Sequence, residues 1–221
     1  MGLFLATAVV PLLLGLWAQM KVKRTFDTYS RVRPRNGMTG AEAAAAVLRS
    51  SGLPQLSIRP VAGRLTDHYD PRDRTLNLSG DVGRASSLAA LGVAAHEAGH
   101  AVQDARSYAP MRIRQALVPA ATIGQSLWFL PVVIGLAIGA TGLVTVGLVL
   151  FGAIVLFQLV TLPVEFDASK RALASLERQG LLAADELPGA RAVLNAAAWT
   201  YVAGFVAALG QLVYFFLLSR D

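Results

Sequence analysis

Long hydrophobic stretches alternate with polar segments along this chain. Four such stretches occur, at residues 2–20, 120–140, 143–162 and 196–218. Each is close to the length of about 20 residues that a helix needs to cross the hydrocarbon core of a bilayer. Only Thr141 and Gly142 separate the second stretch from the third, which predicts a transmembrane helical hairpin, and Pro131 predicts a kink in the second. The pattern predicts a mainly α-helical integral membrane protein with about four transmembrane helices.

Two shorter helices are predicted in the polar segment 21–116, between the first two stretches. Thr39-Gly40-Ala41-Glu42 forms a capping box, in which the Thr hydroxyl and the Glu carboxylate each satisfy a backbone amide, and an alanine-rich helix follows it. The second helix covers about 86–105, with Ser86 or Ser87 as its N-cap residue. This segment is the only one long enough to form a water-facing domain.

Three short runs in the same segment have the character of β-strands. Residues 56–62 alternate weakly between apolar and polar positions, and Pro60 favours an edge strand there. The runs 65–69 and 75–78 flank Asp70-Pro71-Arg72-Asp73, which has the residue types of a hairpin turn. The polar segment is therefore predicted to be a small α+β domain.

The composition agrees with a membrane protein and restricts the chemistry. Of the 221 residues, 54% are hydrophobic and 15% are charged, whereas soluble domains have roughly 45–50% apolar and about 25% charged residues. An alternative, in which the apolar stretches are core helices of a soluble protein, is disfavoured because uncharged stretches of this length exceed the need of a core helix. The chain has no Cys, so disulfides, thiolate metal ligands and thiol nucleophiles are excluded. Any zinc ion must be bound by nitrogen and oxygen.

The basic residues follow membrane topology. The net charge of +6 is compatible with nucleic-acid binding, but 15 of the 20 Lys and Arg lie in residues 21–114 and four in 170–191, with Arg220 the remaining one. By the positive-inside rule, both polar segments face the cytoplasm and both termini lie outside. No positive charge precedes the first apolar stretch, so residues 1–20 are predicted to be an uncleaved anchor. A lipid bilayer is the expected partner, and no nucleic acid is expected.

The predicted helix at 86–105 contains His96-Glu97-Ala98-Gly99-His100. Residues four apart lie on one helix face, so both imidazoles can bind one ion. Zinc accepts such ligands, and a catalytic zinc site keeps one position open for water. Glu97 then lies beside that position, where a carboxylate acts as general base. Because the whole chain has only three His, the number of His-Glu-x-x-His runs expected by chance is far below one.

A third ligand is needed, and the residues leave it open. A downstream His of the metzincin type is excluded because Arg106 stands at that position. His68 and the downstream carboxylates remain, namely Asp104, Glu165, Asp167, Glu177, Asp185, Glu186 and Asp221. Glu165 stands out because it follows the third apolar stretch, where an unpaired carboxylate is costly. The chain crosses the membrane twice within 120–163 and returns to the cytoplasmic side at 164–195. The alternative for Glu165 is an interfacial carboxylate paired with Lys170 or Arg171.

Three sequence blocks resemble those of the bacterial membrane zinc metallopeptidases of the YugP type. They are Val93-Ala94-Ala95-His96-Glu97-Ala98-Gly99-His100-Ala101, the preceding Asp67-His68-Tyr69-Asp70-Pro71 and the following Val164-Glu165-Phe166-Asp167-Ala168-Ser169. The chain is also similar, more distantly, to the HtpX and CAAX prenyl protease group of gluzincins. The resemblance implies a gluzincin-like zinc domain, Glu165 as the third ligand, and hydrolysis of peptide bonds.

The resemblance also suggests supporting residues. The wider group has Glu-Phe-x-Ala-Asp, whereas here Ser169 stands at the Asp position and Asp167 comes two residues earlier. The candidates for orienting the metal ligands, by hydrogen bonds to atoms that do not bind the metal, are Asp167, Ser169 and Asp104. In such peptidases an edge strand binds the substrate backbone, and 65–69 is the candidate strand. His68 or Tyr69 would then stabilise the oxyanion, although a packed Tyr and an exposed His are the simpler alternatives.

Together with the residues of the site, the resemblance therefore implies a zinc metalloendopeptidase in the bacterial inner membrane, acting on peptide or membrane-protein substrates. Two alternatives remain. A site-2-type intramembrane protease would carry the motif within a span and take an Asp-Gly ligand, but the chain has no Asp-Gly. A non-catalytic membrane scaffold stabilised by zinc would not require Glu97 beside the first His.

Overall fold

A computed structural model of the chain describes Gly2 and residues 5–220. A π-helical segment, Leu5–Val9, leads directly into the first α-helix. The remaining elements, in chain order, are α1 (Val10–Tyr29), α2 (Gly40–Ser50), β1 (Ser57–Val61), β2 (His68–Asp70), β3 (Thr75–Ser79), α3 (Gly80–Gly83), α4 (Leu88–Ala105), α5 (Ala109–Leu127), α6 (Phe129–Ile138), α7 (Thr141–Arg178) and α8 (Leu187–Leu218). The described part of the chain is mainly helical, with a small mixed sheet, as predicted.

The chain divides into two compact units. The apolar unit contains Met1–Gln19, Ala109–Pro163 and Trp199–Asp221, and the polar unit contains Met20–Tyr108 and Val164–Ala198. Three helices, α1, α7 and α8, contribute residues to both units.

The candidate membrane spans lie on helices that belong wholly or partly to the apolar unit. Among the described residues, three helical segments are long and apolar enough to cross a bilayer: Leu5–Tyr29, Thr141–Arg178 and Leu187–Leu218. Helices α5 and α6 form a fourth span if they are counted together, although they are bent by 42° at their junction. The predicted kink is therefore present. It falls just before Pro131 because proline has no N–H to bond the carbonyl one turn earlier.

The hairpin between α6 and α7 turns earlier than the sequence predicts. Gly139 ends α6 in the left-handed region, with φ +70, and α7 already begins at Thr141. The predicted turn residues Thr141 and Gly142 are thus the first residues of a helix. The two arms approach closely at Gly147, where an added Cβ would lie 2.7 Å from the carbonyl oxygen of Trp128. Small residues commonly allow such close packing between membrane helices.

Three of these helices extend well past the apolar stretches. α1 continues to Tyr29 beyond the first basic residues, α7 continues through Glu165 to Arg178, and α8 begins at Leu187. Hydropathy marks the part of a helix that suits lipid, whereas the hydrogen bonds along the backbone continue into polar sequence. As a result, Glu165 belongs to a regular helix and not to a loop.

The polar unit contains both predicted short helices. The capping box is present, since Thr39 N–H donates to Glu42 Oε2 at 2.8 Å and Glu42 N–H donates to Thr39 Oγ1 at 3.3 Å. Ser87 caps α4, its hydroxyl accepting from Ala90 N–H at 3.1 Å. α2 packs against α4, and both helices carry fully buried alanines, such as Ala43 and Ala94.

The three strands form one sheet in the order β1-β3-β2. β1 pairs with β3 in parallel and β2 pairs with β3 in antiparallel fashion, so the predicted hairpin and the predicted edge position of β1 are both confirmed. β2 is also an edge strand, and it contacts α4. It begins at His68, later than the predicted run 65–69, because Leu65 has a left-handed φ of 57° and Thr66 Oγ1 bonds Ala62 O at 2.9 Å.

Candidate metal centre

Helix α4 carries two histidines on one face. His96 and His100 are one turn apart, and their ring centroids are separated by 4.7 Å in a T-shaped arrangement. His100 is buried and His96 is partly buried. Their Nε2 atoms both lie near one carboxylate oxygen, which belongs to Glu165 on α7. The regular 3.6-residue repeat of the helix is sufficient to align the two rings.

A close approach of two backbones in the polar unit brings Glu165 to these rings. A Cβ added at Gly99 would lie 2.8 Å from the carbonyl oxygen of Ala168, so only glycine lets α4 lie against α7 at this point. Glu165 lies one turn before Ser169 on α7 and is therefore on the same face of that helix. The carboxyl group of Glu165 is buried, with a side-chain exposure of 4%.

The three side chains form a cluster of suitable size for a divalent ion. Glu165 Oε2 lies 3.2 Å from His96 Nε2 and 3.6 Å from His100 Nε2, and one ligand atom from each residue lies within 4.8 Å of the others. Tetrahedral zinc with ligands at about 2.0–2.1 Å separates neighbouring ligand atoms by about 3.3–3.4 Å. The distance from His100 is too long for a hydrogen bond. Two nitrogens and one oxygen at these spacings fit zinc with one position left open.

The alternative pairing of Glu165 is contradicted. Among the described residues, no ion pair joins Glu165 to Lys170 or Arg171, and the Arg171 guanidinium bonds Asp167 instead, with Nε 2.5 Å from Oδ2. Glu165 therefore has the two imidazoles as its polar neighbours. A buried carboxylate of this kind is consistent with a bound cation.

The other candidates for the third ligand lie outside this cluster. Asp185 pairs with Arg35, and Glu186 accepts from the backbone N–H groups of Arg35 and Ala183. His68 Nδ1 lies 2.8 Å from the carbonyl of Thr66. Among the described residues, the cluster does not include Asp104, Asp167 or Glu177. The last candidate, Asp221, lies outside the described residues.

A buried glutamine that sequence analysis missed orients His100. Gln103 Oε1 accepts from His100 Nδ1 at 3.0 Å, while Gln103 Nε2 donates to the carbonyl of Val164 and to Asp167 Oδ2, both at 2.8 Å. All the hydrogen-bonding capacity of the amide nitrogen is thus used, which fixes the direction of the amide. His100 must then carry its proton on Nδ1, leaving the Nε2 lone pair toward Glu165. The i,i+3 spacing from His100 was the signal available in the sequence.

Ser169 has the corresponding position behind His96. Its hydroxyl lies 3.1 Å from His96 Nδ1, so it can hold that ring by the nitrogen that faces away from Glu165. Asp167 reaches His100 only through Gln103, and its second partner is Arg171. The two candidates on α7 therefore contact the ligands in different ways, one directly and one through an amide.

Glu97 lies against the edge of the sheet. Its Oε2 accepts from the backbone N–H of Tyr69 at 3.1 Å. Burial raises the pKa of Glu97, and the neighbouring His96 and His100 oppose that shift. This N–H points away from β3, because Tyr69 lies opposite Leu76 and donates to Glu97 instead.

Tyr69 and Asp104 contact each other. The Tyr69 hydroxyl donates to Asp104 Oδ2 at 2.9 Å, and burial together with this hydrogen bond raises the pKa of Tyr69 above its ordinary value. The His68 ring also lies 3.3 Å from the amide nitrogen of Asn77. Oxyanion stabilisation by His68 or Tyr69 stays a prediction.

The fold and the cluster are those of a helical membrane protein with a candidate divalent-metal centre. Residues 4–220 match the model of a family described as "Putative neutral zinc metallopeptidase". The chain is 41% identical over 222 residues to a Bacillus subtilis (strain 168) protein named "Putative membrane protease YugP", with 99% of each chain covered. No solved structure matches the chain. The chain belongs to this neutral zinc metallopeptidase family.

Proposed function

We propose that this protein is a membrane-bound peptidase that hydrolyses peptide bonds with zinc bound by His96, His100 and Glu165. The observation that carries the proposal is the approach of both imidazole Nε2 atoms to one carboxylate oxygen, with Glu97 next to the first of them. A glutamate as the third ligand makes the site gluzincin-like. An open fourth position distinguishes a catalytic zinc site from a structural one, which is usually closed by four protein ligands.

The side chains around the site have separate tasks. Zinc, when bound, supplies a Lewis acid that activates water and polarises the scissile carbonyl. Glu97 is the general base, which accepts a proton and delivers it to the leaving amine. The Tyr69 N–H holds one oxygen of Glu97 in place. Ser169 and Gln103 keep the two rings in the orientation that ligation needs.

We further propose that an extended substrate lies along β2. In an antiparallel pair, the N–H and C=O of a residue point to the same side. Since the Tyr69 N–H is directed to Glu97, the Tyr69 carbonyl also lies on the open edge, where it can accept a hydrogen bond from a substrate N–H. The substrate backbone would then run beside the general base.

The decisive experiment is Glu97→Gln in the full-length protein. The variant should retain stoichiometric zinc and lose turnover of a casein-type substrate by about 10²–10⁴-fold, because it lacks the proton acceptor. Glu177→Gln, an exposed change on the same unit, serves as the control and should have wild-type activity. A Glu97→Gln protein that cleaves casein at the wild-type rate would refute the mechanism, whereas a zinc-loaded wild type that cleaves no casein would favour a non-catalytic scaffold.

The second alternative, cleavage within the membrane, has less support. Among the described residues, α4 is not one of the helices long and apolar enough to span a bilayer. Thirteen of its residues are buried inside the polar unit. We therefore propose a bacterial inner-membrane peptidase with its catalytic segment in the cytoplasm, on the basis of the distribution of basic residues.

A further inference from the structure

Besides the candidate metal centre, the polar unit contains a cavity on the other side of α4 from Glu97, here called the second cavity. It has a volume of about 330 Å³ and an apolar floor that includes Val47 and Val102. The residues that α4 contributes, Gly99, Val102 and Arg106, follow Glu97 by two, five and nine positions. At about 100° per residue these positions lie on the opposite face of the helix. None of His96, His100 and Glu165 lines the cavity, which is thus distinct from the candidate metal centre.

Cations dominate the wall of this cavity. Arg106, Lys170, Arg171 and Arg178 line it, against the single carboxylate of Asp167. Within the described part of the chain, Arg106 and Lys170 have no carboxylate partner, and Arg178 donates Nε to the backbone carbonyl of Ala174. Several other arginines of this unit are paired, in Arg35–Asp185, Arg59–Asp73, Arg64–Asp27 and Arg72–Asp70. The cavity wall itself thus carries a net excess of positive charge, with four cations against one carboxylate.

Arg171 is held in a position that leaves part of its guanidinium available. Its Nε donates to Asp167, which is itself held by Gln103, and the guanidinium carbon lies 5.6 Å from the centre of the Tyr108 ring. No hydrogen bond to the terminal nitrogens is present among the described residues. A fixed guanidinium with free N–H groups matches the oxygen geometry of a phosphate. The hydroxyls of Ser51 and Ser175 add neutral donors.

We propose that this cavity binds a phosphate-bearing anion through Arg106, Lys170 and Arg171. A phosphate group has the charge to offset the excess of cations and enough oxygens to bond more than one of them. Inorganic phosphate and the phosphodiester headgroup of an anionic lipid share this chemistry.

The first measurement uses the purified full-length protein in a phosphate-free nonionic detergent. Inorganic phosphate is titrated calorimetrically into the wild type and into the double variant Arg106→Gln, Lys170→Gln. Loss of two charged donors should weaken binding by about tenfold or more. The matched control, Arg31→Gln with Arg33→Gln, removes the same charge from exposed positions outside the cavity and should bind as the wild type does. Lys170→Gln alone should give a smaller loss in the same direction.

The second measurement distinguishes the two sources of phosphate. The protein is placed in phosphatidylcholine nanodiscs with or without phosphatidylglycerol, and phosphate binding is measured again. If the lipid headgroup is the occupant, phosphatidylglycerol abolishes phosphate binding to the wild type. If the free anion is the occupant, the wild type binds phosphate equally in nanodiscs with and without phosphatidylglycerol. The proposal is overturned if the cavity variant binds phosphate as well as the wild type, if both double variants are weakened equally, or if the wild type binds phosphate neither in detergent nor in phosphatidylcholine nanodiscs.

Discussion

At the scale of single residues, the candidate site depends on side chains that fix the two imidazoles. Gln103 is fully buried and joins His100 to Asp167 and to the backbone of Val164. A buried amide with all its partners contributes stability, and its loss removes the acceptor of His100 Nδ1 and one hydrogen bond each from Val164 and Asp167. Gln103 therefore matters to zinc binding although it is not itself a ligand.

Gln103→Ala should lower zinc affinity by about 10–100-fold, because His100 loses the acceptor that fixes its ring and tautomer. The measurement is competition for zinc with a chelator of known affinity. Gln179→Ala, near the end of α7 and outside the cluster, is the control and should bind zinc normally. Equal zinc affinity of the Gln103→Ala protein and the wild type would show that the hydrogen bond is not needed.

At the scale of elements, the contact between α4 and α7 decides whether a third ligand is available. The helices approach so closely at Gly99 that its missing side chain determines their distance. Each helix also carries its own part of the site, His96 and His100 on one and Glu165 and Ser169 on the other. A change of helix separation would therefore affect stability and metal binding together.

Gly99→Ala should destabilise the protein by about 1–3 kcal/mol, since its Cβ would meet the Ala168 carbonyl and force the helices apart. Zinc content should fall with it. Both are measured, as the thermal unfolding midpoint and by metal analysis. Gly152→Ala, where an added Cβ meets nothing within 4 Å, should match the wild type. A wild-type midpoint for Gly99→Ala would argue against this close contact.

The capping box of α2 makes a pH-dependent contribution to stability. Hydrogen bonds from Thr39 lower the pKa of Glu42 in the folded protein. The ionised carboxylate therefore stabilises the folded state above its unfolded pKa of about 4.3, and this contribution is lost as the pH falls through the lower folded value.

Glu42→Gln should therefore be less stable than the wild type at neutral pH, and the difference should disappear under more acidic conditions. Unfolding midpoints over a pH series test this, with Glu177→Gln as a control that should follow the wild type throughout. A stability difference that persists unchanged into acid would mean that the charge of Glu42 is not its cause.

At the scale of the whole molecule, the proposed topology rests on the distribution of basic residues. The basic residues between the first and second spans, and those between the third and fourth, would both face the cytoplasm. The α6–α7 turn and the C-terminus would then lie outside. The absence of Cys from the chain allows each position to be tested separately.

Single cysteines introduced as Thr141→Cys and Ser219→Cys should react with a membrane-impermeant maleimide in intact cells. Arg72→Cys, in the hairpin turn between β2 and β3, should react only after permeabilisation, because the catalytic segment is predicted to be cytoplasmic. The Cys-free wild type reports the background. Labelling of Arg72→Cys in intact cells would reverse the proposed orientation.

The sequence by itself determined the features that depend on neighbours along the chain. Helix periodicity predicted the face shared by His96 and His100, the capping box predicted the start of α2, and turn residues predicted the β2–β3 hairpin. Apolar length predicted the candidate spans, but not the ends of α1, α7 and α8, because backbone hydrogen bonding continues where hydropathy stops.

Only the tertiary structure decided which distant groups meet. Glu165 was one of several carboxylates in the sequence, and its approach to the imidazoles depends on packing between helices at Gly99 and Ala168. The same packing gives Gln103 its partners and gathers the cations of the second cavity. Residues some 60–70 positions apart leave no local pattern of their pairing, because the free energy of such contacts comes from burial and close packing between elements.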